Sequence, residues 1–339
     1  MTFGFPRGGL LAYKCNESLQ SQDQKHRSGS DFLTAKIRAP RNISPLLPQA
    51  VYTSVCLKSA SHFALEEYPV SDLVTIEVNH HVADVRLNRP DKMNAVNPAM
   101  WNAIYEAGTS LMEARDVRAV VLSGNGRGFC AGLDMASMQG MADRDEEAPG
   151  SGISLKSGTE QPENHFQRAA LVWKRIPMPV IGAIHGVAYG AGAQIAMGAD
   201  IRIAAPDMRF SILEIKWGLI PDVGITQTLR DVVPLDVAKE LTWTGRILDG
   251  AMAKELGIVT HVSEEPLAHA LELASEIASK SPDAIRRGKT LLEKAWHADE
   301  RTGLELEAKL QSELVGSSNQ VESIKANFEK RAPKFQRPT

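Results

Sequence analysis

The stretch that decides the fold is VIGAIHGVAYGAGAQIAMGAD, residues 180–200. Residues 180–184 are apolar and predict a buried strand, and residues 185–194 follow it and are expected to open a helix that runs to about Ala199. The first N–H groups of a helix have no partner within it, and they lie at the positive end of its dipole. The stretch is therefore suited to hold an anion, although small residues that merely allow close packing would explain it equally well.

A second turn of the same kind follows an earlier strand. Residues 119–124 (AVVLSG) predict a buried strand, and residues 126–134 (GRGFCAGLD) follow it directly. Small residues let a ligand approach the backbone, although a tight strand-to-loop turn would also need them. Two such turns can direct one backbone N–H each at a single oxygen atom, and removing one such donor typically costs ~3 kcal/mol of transition-state stabilisation. Together they predict a site that stabilises a developing oxyanion.

Further strands lie outside these two turns. Residues 73–78 and 82–87 predict a β-hairpin around a His80-His81 turn, and residues 201–205 predict another apolar strand. Short apolar strands separated by helical stretches are typical of an α/β fold with largely parallel strands.

The expected domain plan has three parts. Residues 1–70 form an N-terminal extension, residues 71–265 the α/β core, and residues 266–339 a separate helical region. Within the core, the polar stretch 138–164 is too long for an ordinary connection, so we expect a lid or a disordered loop there.

Composition excludes several classes of protein. The 339 residues carry 38 basic and 41 acidic side chains, a net charge of −3, whereas nucleic-acid binders usually have a basic excess. Three cysteines form no disulfide framework and no CxxC pair, so we expect neither a metal site nor an oxidising compartment. We expect no membrane span, because no stretch approaches ~18 apolar residues.

The first 60 residues differ from the rest in charge, with eight basic and three acidic residues. Such a leader is compatible with a mitochondrial transit peptide, which would place the protein in the matrix. A disordered extension of a cytoplasmic bacterial protein is the equal alternative, because acidic residues and prolines are unusual in transit peptides.

Five motifs resemble those of the crotonase (enoyl-CoA hydratase/isomerase) family, in the order and spacing of that family. They are residues 88–95 (NRPDKMNA), 129–134 (FCAGLD), 185–200, 210–224 (FSILEIKWGLIPDVG) and a closing pair, 244–246 (TGR) with 253–259 (AKELGIV). The resemblance extends from about Leu73 to the C-terminus and leaves the leader outside.

The resemblance implies a spiral of ββα turns with a C-terminal helical region that builds trimers, often paired into hexamers. The substrate would be an acyl-CoA thioester, with coenzyme A as part of the substrate and no other cofactor. The N–H groups of Ala131 and Ala191 would form the oxyanion hole around the thioester oxygen while an enolate forms. Further substrate and CoA contacts are expected from Lys92 and Met93 at the adenine end, from Ala131, Gly132, Leu133, Asp134 and Met135 along the CoA path, and from Gln194.

Three side chains decide which reaction is expected. Hydratases of the family use two glutamates, but the first position here is Gln194, whose amide neither gives nor takes a proton near neutral pH. The second position is Glu214. Asp222 stands where the family's dienoyl-CoA isomerases have an aspartate, followed by Val-Gly as here. Glu214 and Asp222 therefore favour a Δ3,5-Δ2,4-dienoyl-CoA isomerase of fatty-acid β-oxidation, which moves a proton between two distant carbons.

Other interpretations of these residues stay open. Enoyl-CoA hydration would need Glu214 to do both proton transfers while Gln194 orients the water, and a single-glutamate enoyl-CoA isomerase would use Glu214 alone. A catalytically weak CoA-binding scaffold is the lesser alternative. Asp222 could instead cap the helix expected near Gly224, and Glu214 could form a surface ion pair.

Three further kinds of residue are expected to have structural or peripheral roles. Cys130 is expected to be a packed thiol rather than a nucleophile, and His185 a hydrogen-bonded core histidine. His80 and His81 are expected to be solvated. Lys289 and the basic tail around Arg331 are candidates for contacts with CoA phosphates.

Overall fold

The computed structural model describes residues 71–142 and 162–339, with side chains at 140–142 left aside. The predicted N-terminal extension, residues 1–70, lies outside the described residues, and so does most of the predicted lid.

The main sheet has six strands in the order β1-β2-β3-β4-β6-β8. β1 and β2 are antiparallel, and every other pair in this sheet is parallel, in register Val82 with Ala119 and Val120 with Val180. A second, two-stranded parallel sheet pairs β5 with β7. The strands are β1 (Val74–Asn79), β2 (Val82–Leu87), β3 (Ala119–Gly124), β4 (Val180–Ile184), β5 (Val187–Tyr189), β6 (Ile201–Ala204), β7 (Arg209–Ser211) and β8 (His261–Val262).

Helices follow the strands and dominate the C-terminal part of the chain. They are α1 (Pro98–Met112), α2 (Met135–Ala142), α3 (Gln167–Arg175), α4 (Ala191–Met197), α5 (Ile225–Thr228), α6 (Leu235–Thr244), α7 (Gly250–Glu255), α8 (Pro266–Ala278), α9 (Pro282–Ala295), α10 (Glu300–Leu314) and α11 (Ser318–Phe328). Two 3₁₀ turns, Pro90–Lys92 and Glu214–Trp217, interrupt the connections.

Local sequence signals explain several of these boundaries. The turn between β1 and β2 consists of His80 and His81, both with positive φ, as the predicted hairpin requires. Helix α1 begins after Asn97, whose side chain accepts a hydrogen bond from the N–H of Met100 at 2.9 Å. This cap satisfies one of the N–H groups that a helix start leaves unpaired.

The sheet is covered on both faces. Helices α1 and α3 contribute Trp101, Ile104 and Trp173 to the larger apolar core. On the other face, Ala270, Ala274 and Ala278 of α8 pack in a second cluster with side chains of β2, β3, β4 and β6. The helical region expected from Pro266 onwards begins with α8, which covers the core sheet because its small alanine face lets the helix approach the strands closely.

Helices α9 and α10 pack against each other and leave large apolar side chains on their surface. Trp296 is 70% exposed and Phe328 of α11 is 85% exposed. In the described part of the chain, no helix combines the length and the apolar character that a membrane crossing requires.

Candidate active site

The two small-residue turns meet at one cavity of about 400 Å³. The first turn contributes Ala131, Gly132 and Leu133, and the second contributes Tyr189, Gly190 and Ala191. The remaining lining residues are Trp101, Met135, Met138, Phe166, Leu213, Glu214, Lys216, Trp217, Leu219, Asp222 and Val223. The structure therefore brings both predicted carboxylates to the same cavity as both predicted turns.

Backbone bonds hold the two turns against each other. The N–H of Cys130 donates to the carbonyl of Val187 at 2.9 Å, and the N–H of Tyr189 donates to the carbonyl of Cys130 at 3.0 Å. Gly132 has φ of +90°, and a Cβ atom there would lie 2.6 Å from the carbonyl oxygen of Tyr189. Only glycine allows this approach.

One predicted oxyanion donor is not available. The N–H of Ala131 donates to the carbonyl of Met93 at 2.9 Å, so it cannot also point at a substrate oxygen without losing that bond. An isolated β-bridge between Val96 and Leu133 explains which amide is unpaired instead. Val96 donates to the carbonyl of Gly132 at 2.7 Å and accepts from Asp134 at 3.0 Å, so the N–H of Leu133 points away from Val96.

Among the described residues, the amides of Leu133 and Ala191 are unpaired, and both residues line the cavity. Within residues 71–142 and 162–339, neither N–H donates to a backbone or side-chain acceptor. Ala191 keeps its predicted place at the start of α4, directly after Gly190, whose own N–H is bonded to Ser211. The candidate oxyanion pair is therefore Leu133 with Ala191, and Ala131 is corrected to a structural position. The spacing of the motif did not reveal this, because the partner of Ala131 lies 38 residues earlier in the chain.

Glu214 opens the 3₁₀ turn that follows β7, and its side chain is buried. Its carboxyl packs against Gly190, where a Cβ atom would lie 3.2 Å from Oε1. Removal from water raises the pKa of Glu214, and the charge of Asp222 raises it further, while the hydrogen bond from Gln194 acts in the opposite direction. A carboxyl with a raised pKa beside a cavity is suited to proton transfer near neutral pH.

Asp222 lies at the edge of the same cavity. The residue as a whole is exposed, yet partial desolvation of its carboxyl raises its pKa. The alternative role as a helix cap does not hold, because α5 is capped by Gly224 and has no side-chain cap hydrogen bond. Asp222 therefore has no structural task among the described residues that would explain a carboxylate at this position.

Gln194 lies behind Glu214 and not on the cavity wall. Its exposed fraction is 0%, its Nε2 donates to Oε1 of Glu214 at 2.6 Å, and its Oε1 accepts from the N–H of Val223 at 2.8 Å. The expected direct contact between Gln194 and substrate is absent from this arrangement, because both polar atoms of the amide face protein groups.

The other predicted contact residues fall into two sets. Leu133 and Met135 line the cavity, together with Gly132. Asp134 forms an ion pair with Arg89 at 2.5 Å, and this hydrogen bond lowers its pKa. Lys92 and Met93 lie outside the cavity lining: Lys92 is exposed, and Met93 supports the first turn through its carbonyl. Their role at the adenine end of CoA stays a prediction.

Asn94 is an anchor that the sequence analysis did not single out. It is completely buried, and its Nδ2 lies 2.9–3.1 Å from the carbonyls of Asn125, Gly128 and Phe129. Its Oδ1 accepts from the N–H of Arg89. The conspicuous residues of the 88–95 motif are charged, whereas the residue that organises the first turn is this amide.

The expected packed role of Cys130 agrees with the geometry, whereas His185 is hydrogen-bonded as expected but only partly buried, so it is not a core histidine. Cys130 is buried, burial raises the pKa of its thiol to about 12, and its Sγ contacts the carbonyl of Asn94 at 3.1 Å. His185 is hydrogen-bonded to the carbonyl of Gly126 at 2.9 Å.

Lys289 bonds two carbonyls and Asp200, so it is not free for a CoA phosphate. Within the described ranges, no group of three or more candidate ligands could hold a metal ion.

Comparison with known proteins places the chain in a family. A family model described as enoyl-CoA hydratase/isomerase matches residues 77–338. The chain belongs to the enoyl-CoA hydratase/isomerase family. Members of this family are enzymes, and the substrate expected for them is an acyl-CoA thioester, so the predicted family and enzyme class are confirmed.

Relatives in the family carry both kinds of activity in their names. The chain is 33% identical to the mouse mitochondrial enoyl-CoA hydratase domain-containing protein 2, over 76% of this chain and 85% of the relative. It is 31% identical to the human mitochondrial Δ3,5-Δ2,4-dienoyl-CoA isomerase, over 88% and 93%. The crystal structure of an enoyl-CoA hydratase from Bacillus anthracis superimposes with a TM-score of 0.69 at 30% identity, covering 78% of this chain and 98% of that one. The predicted crotonase-like α/β fold is thereby confirmed.

Proposed function

We propose that the protein is a Δ3,5-Δ2,4-dienoyl-CoA isomerase. The observation that carries this proposal is that Glu214 and Asp222 line the same cavity as the free amides of Leu133 and Ala191. Two carboxylates are what a proton transfer between two distant carbons needs, and two backbone donors are what an enolate oxygen needs. The likeness to dienoyl-CoA isomerases from human and from Arabidopsis supports the same choice.

The proposed reaction balances with one proton and no other reagent. The thioester oxygen accepts hydrogen bonds from the amides of Leu133 and Ala191. Glu214, which packs against Gly190 beside Ala191, takes the proton from C2 of a 3,5-dienoyl chain and leaves a conjugated enolate. Asp222 delivers a proton to C6, the double bonds move to positions 2 and 4, and solvent exchange restores the two carboxyls.

The reaction needs one of the two carboxyls ionised and the other protonated. Each has a raised pKa, and the charge of Asp222 adds to the increase at Glu214. Two carboxyls coupled in this way lose their protons in separate steps, so the pair holds a single proton over an interval of pH. That interval is where we expect isomerisation to be fastest.

The test compares two substrates. Purified protein should convert a 3,5-dienoyl-CoA to the 2,4-isomer, followed by the absorbance of the conjugated product, faster than it hydrates a 2-enoyl-CoA. Rapid hydration without dienoyl isomerisation would overturn the proposal in favour of a hydratase. Migration of a single double bond alone would favour a one-glutamate isomerase that needs only Glu214.

Gln194 argues against the hydratase alternative. Hydration with one carboxylate would require this amide to orient the attacking water. Its Nε2 and Oε1 are instead engaged by Glu214 and by the N–H of Val223, and the side chain is completely buried.

The proposal extends to the cofactor, the pathway and the oligomeric state. The reaction requires no cofactor apart from the CoA of the substrate, and its place is the β-oxidation of unsaturated fatty acids. A homotrimer or hexamer is supported by the exposed apolar side chains of the C-terminal helices, among them Trp296 and Phe328. Sedimentation of the purified full chain tests this, and a monomer at micromolar concentration would contradict it.

A further inference from the structure

The buried amide of Gln194 joins the two halves of the proposed proton-transfer pair. One end bonds the carboxyl of Glu214 at 2.6 Å, and the other end bonds the N–H of Val223 at 2.8 Å. Val223 directly follows Asp222 in the chain. A single side chain therefore holds both the Glu214 carboxyl and the segment that carries Asp222.

The orientation of this amide is determined by its neighbours. A backbone N–H can only donate, so the oxygen of the amide must face Val223. The NH₂ group must then face Glu214, because a flipped amide would place its two donors against the donor of Val223 and its oxygen against a carboxylate. Full burial of Gln194 keeps both ends of the amide out of contact with bulk solvent.

This orientation distinguishes the two oxygens of Glu214. Oε1 faces a group that can only donate, so Oε1 stays an acceptor whether or not Glu214 is protonated. Oε2 is buried, and within residues 71–142 and 162–339 it has no hydrogen-bond partner. An orphaned carboxylate oxygen beside a substrate cavity is costly unless a ligand uses it.

We propose that Gln194 is a positioning residue, which reserves Oε2 of Glu214 as the atom that accepts the proton from C2 of the substrate. This inference rests on the proposed function, because it takes a proton at C2 as the one transferred. It also assigns a purpose to an amide at a position where the resemblance led us to expect an acid. A carboxylate there would face Glu214 with like charge, whereas the amide donates to it.

The electrostatics agree with this role. Burial raises the pKa of Glu214 most, and the hydrogen bond from Gln194 opposes that increase. The other titratable groups that line the cavity are Tyr189, Lys216 and Asp222, of which Asp222 raises the pKa of Glu214. The hydrogen bond from Gln194 stabilises the ionised carboxylate more than the neutral carboxyl, so removing the donor must raise the pKa of Glu214. The base is then ionised only at higher pH.

Two variants test the inference in the full-length protein. Gln194→Glu has the same shape and can still accept from Val223, but it replaces the donor that faces Glu214 by a carboxyl. Gln194→Met keeps the volume and removes both hydrogen bonds. Gln227→Glu is the matched control, because this exposed glutamine of α5 does not line the active cavity.

The first measurement is the titration of the Glu214 carboxyl in the free protein, by infrared difference spectroscopy with Glu214→Gln as the reference. We expect an upward shift in both Gln194 variants and none in Gln227→Glu. Unchanged titration of Glu214 in the two Gln194 variants would overturn the inference. Because no substrate is present, this result does not depend on which reaction the enzyme performs.

The second measurement is the pH profile of kcat/KM for the dienoyl substrate. Its acid limb should move to higher pH in both Gln194 variants, which a loss of folded protein alone would not produce. A crystal structure with an unreactive saturated acyl-CoA should place Oε2 of Glu214 nearer to C2 than Oε1, and the reverse order would overturn the inference. Shifted titration without any dienoyl turnover would leave the inference standing and refute the proposed function alone.

Discussion

A Cβ atom on Gly132 would lie 2.6 Å from the carbonyl oxygen of Tyr189, and this contact sets the distance between the two turns of the site. The obstacle is backbone, which cannot rotate away as a flexible side chain would. Gly132 also has φ of +90°, a conformation that residues with a side chain rarely adopt. The approach of the free amides of Leu133 and Ala191 therefore depends on one missing methyl group.

Gly132→Ala should separate the two turns and weaken the hold on the enolate oxygen. Losing one donor of such a pair typically lowers kcat by about 100-fold or more, and we expect a decrease of at least this size. The control is Gly288→Ala in α9, where an added Cβ atom meets nothing within 4 Å. A kcat of Gly132→Ala within a few-fold of wild type would show that the distance between the turns is unimportant.

The strands and the first helix could be predicted because their signals are local. The β2 and β4 boundaries follow from short apolar runs, and α1 begins at Pro98 because Asn97 caps it. Both carboxylates of the site were also found by position in the motif. These features depend on neighbours within a few residues, which the sequence displays directly.

The predictions for Ala131 and Gln194 differ from the structure because their hydrogen-bond partners are distant in the chain. The N–H of Ala131 is occupied by Met93, and the amide of Gln194 reaches Val223, 29 residues further on. Hydrogen bonds of this kind leave no periodic pattern, because each depends on how two loops pack. A motif can therefore locate the oxyanion turn without revealing which of its N–H groups is free.

Asn94→Ala should destabilise the protein, since it removes the donor shared by three buried or partly buried carbonyls. An unsatisfied buried polar group costs about 1–3 kcal/mol, so we expect a loss of about 3 kcal/mol or more in the free energy of unfolding. Urea denaturation measures it. Asn102→Ala, an exposed position on α1, is the control and should change the free energy by less than about 0.5 kcal/mol. Equal midpoints for the two variants would contradict the anchoring role.

Asp222→Asn should abolish dienoyl isomerisation while leaving the fold intact. General acid–base catalysis by one positioned group contributes about 10²–10⁴-fold, and an amide cannot replace it, so kcat should fall by that factor. The melting temperature should not fall, because Gly224 and not Asp222 occupies the cap of α5. Asp207→Asn, at an exposed position between β6 and β7, is the matched control. Retained turnover, or a lower melting temperature as the main effect, would return Asp222 to a structural role.

Stability should depend on pH through Glu214, and the sign follows from its raised pKa. The folded protein favours the neutral carboxyl, so the favourable contribution of Glu214 is present below the ordinary pKa of glutamate and is lost as pH rises through the folded value. Glu214→Gln keeps a neutral group at all pH values. The melting temperature of this variant relative to wild type should therefore be higher at pH 8 than at pH 5.

Thermal unfolding of wild type and Glu214→Gln at these two pH values measures the effect. Glu255→Gln at an exposed position of α7 serves as the control, and its difference from wild type should not vary with pH. Glu214→Gln should also lose isomerase activity, because its amide cannot take the proton from C2. Gain of stability together with loss of turnover is the expected signature of a carboxylate kept for chemistry at the expense of the fold. If the melting temperature of Glu214→Gln relative to wild type were lower at pH 8 than at pH 5, the folded protein would stabilise the ionised form of Glu214 instead.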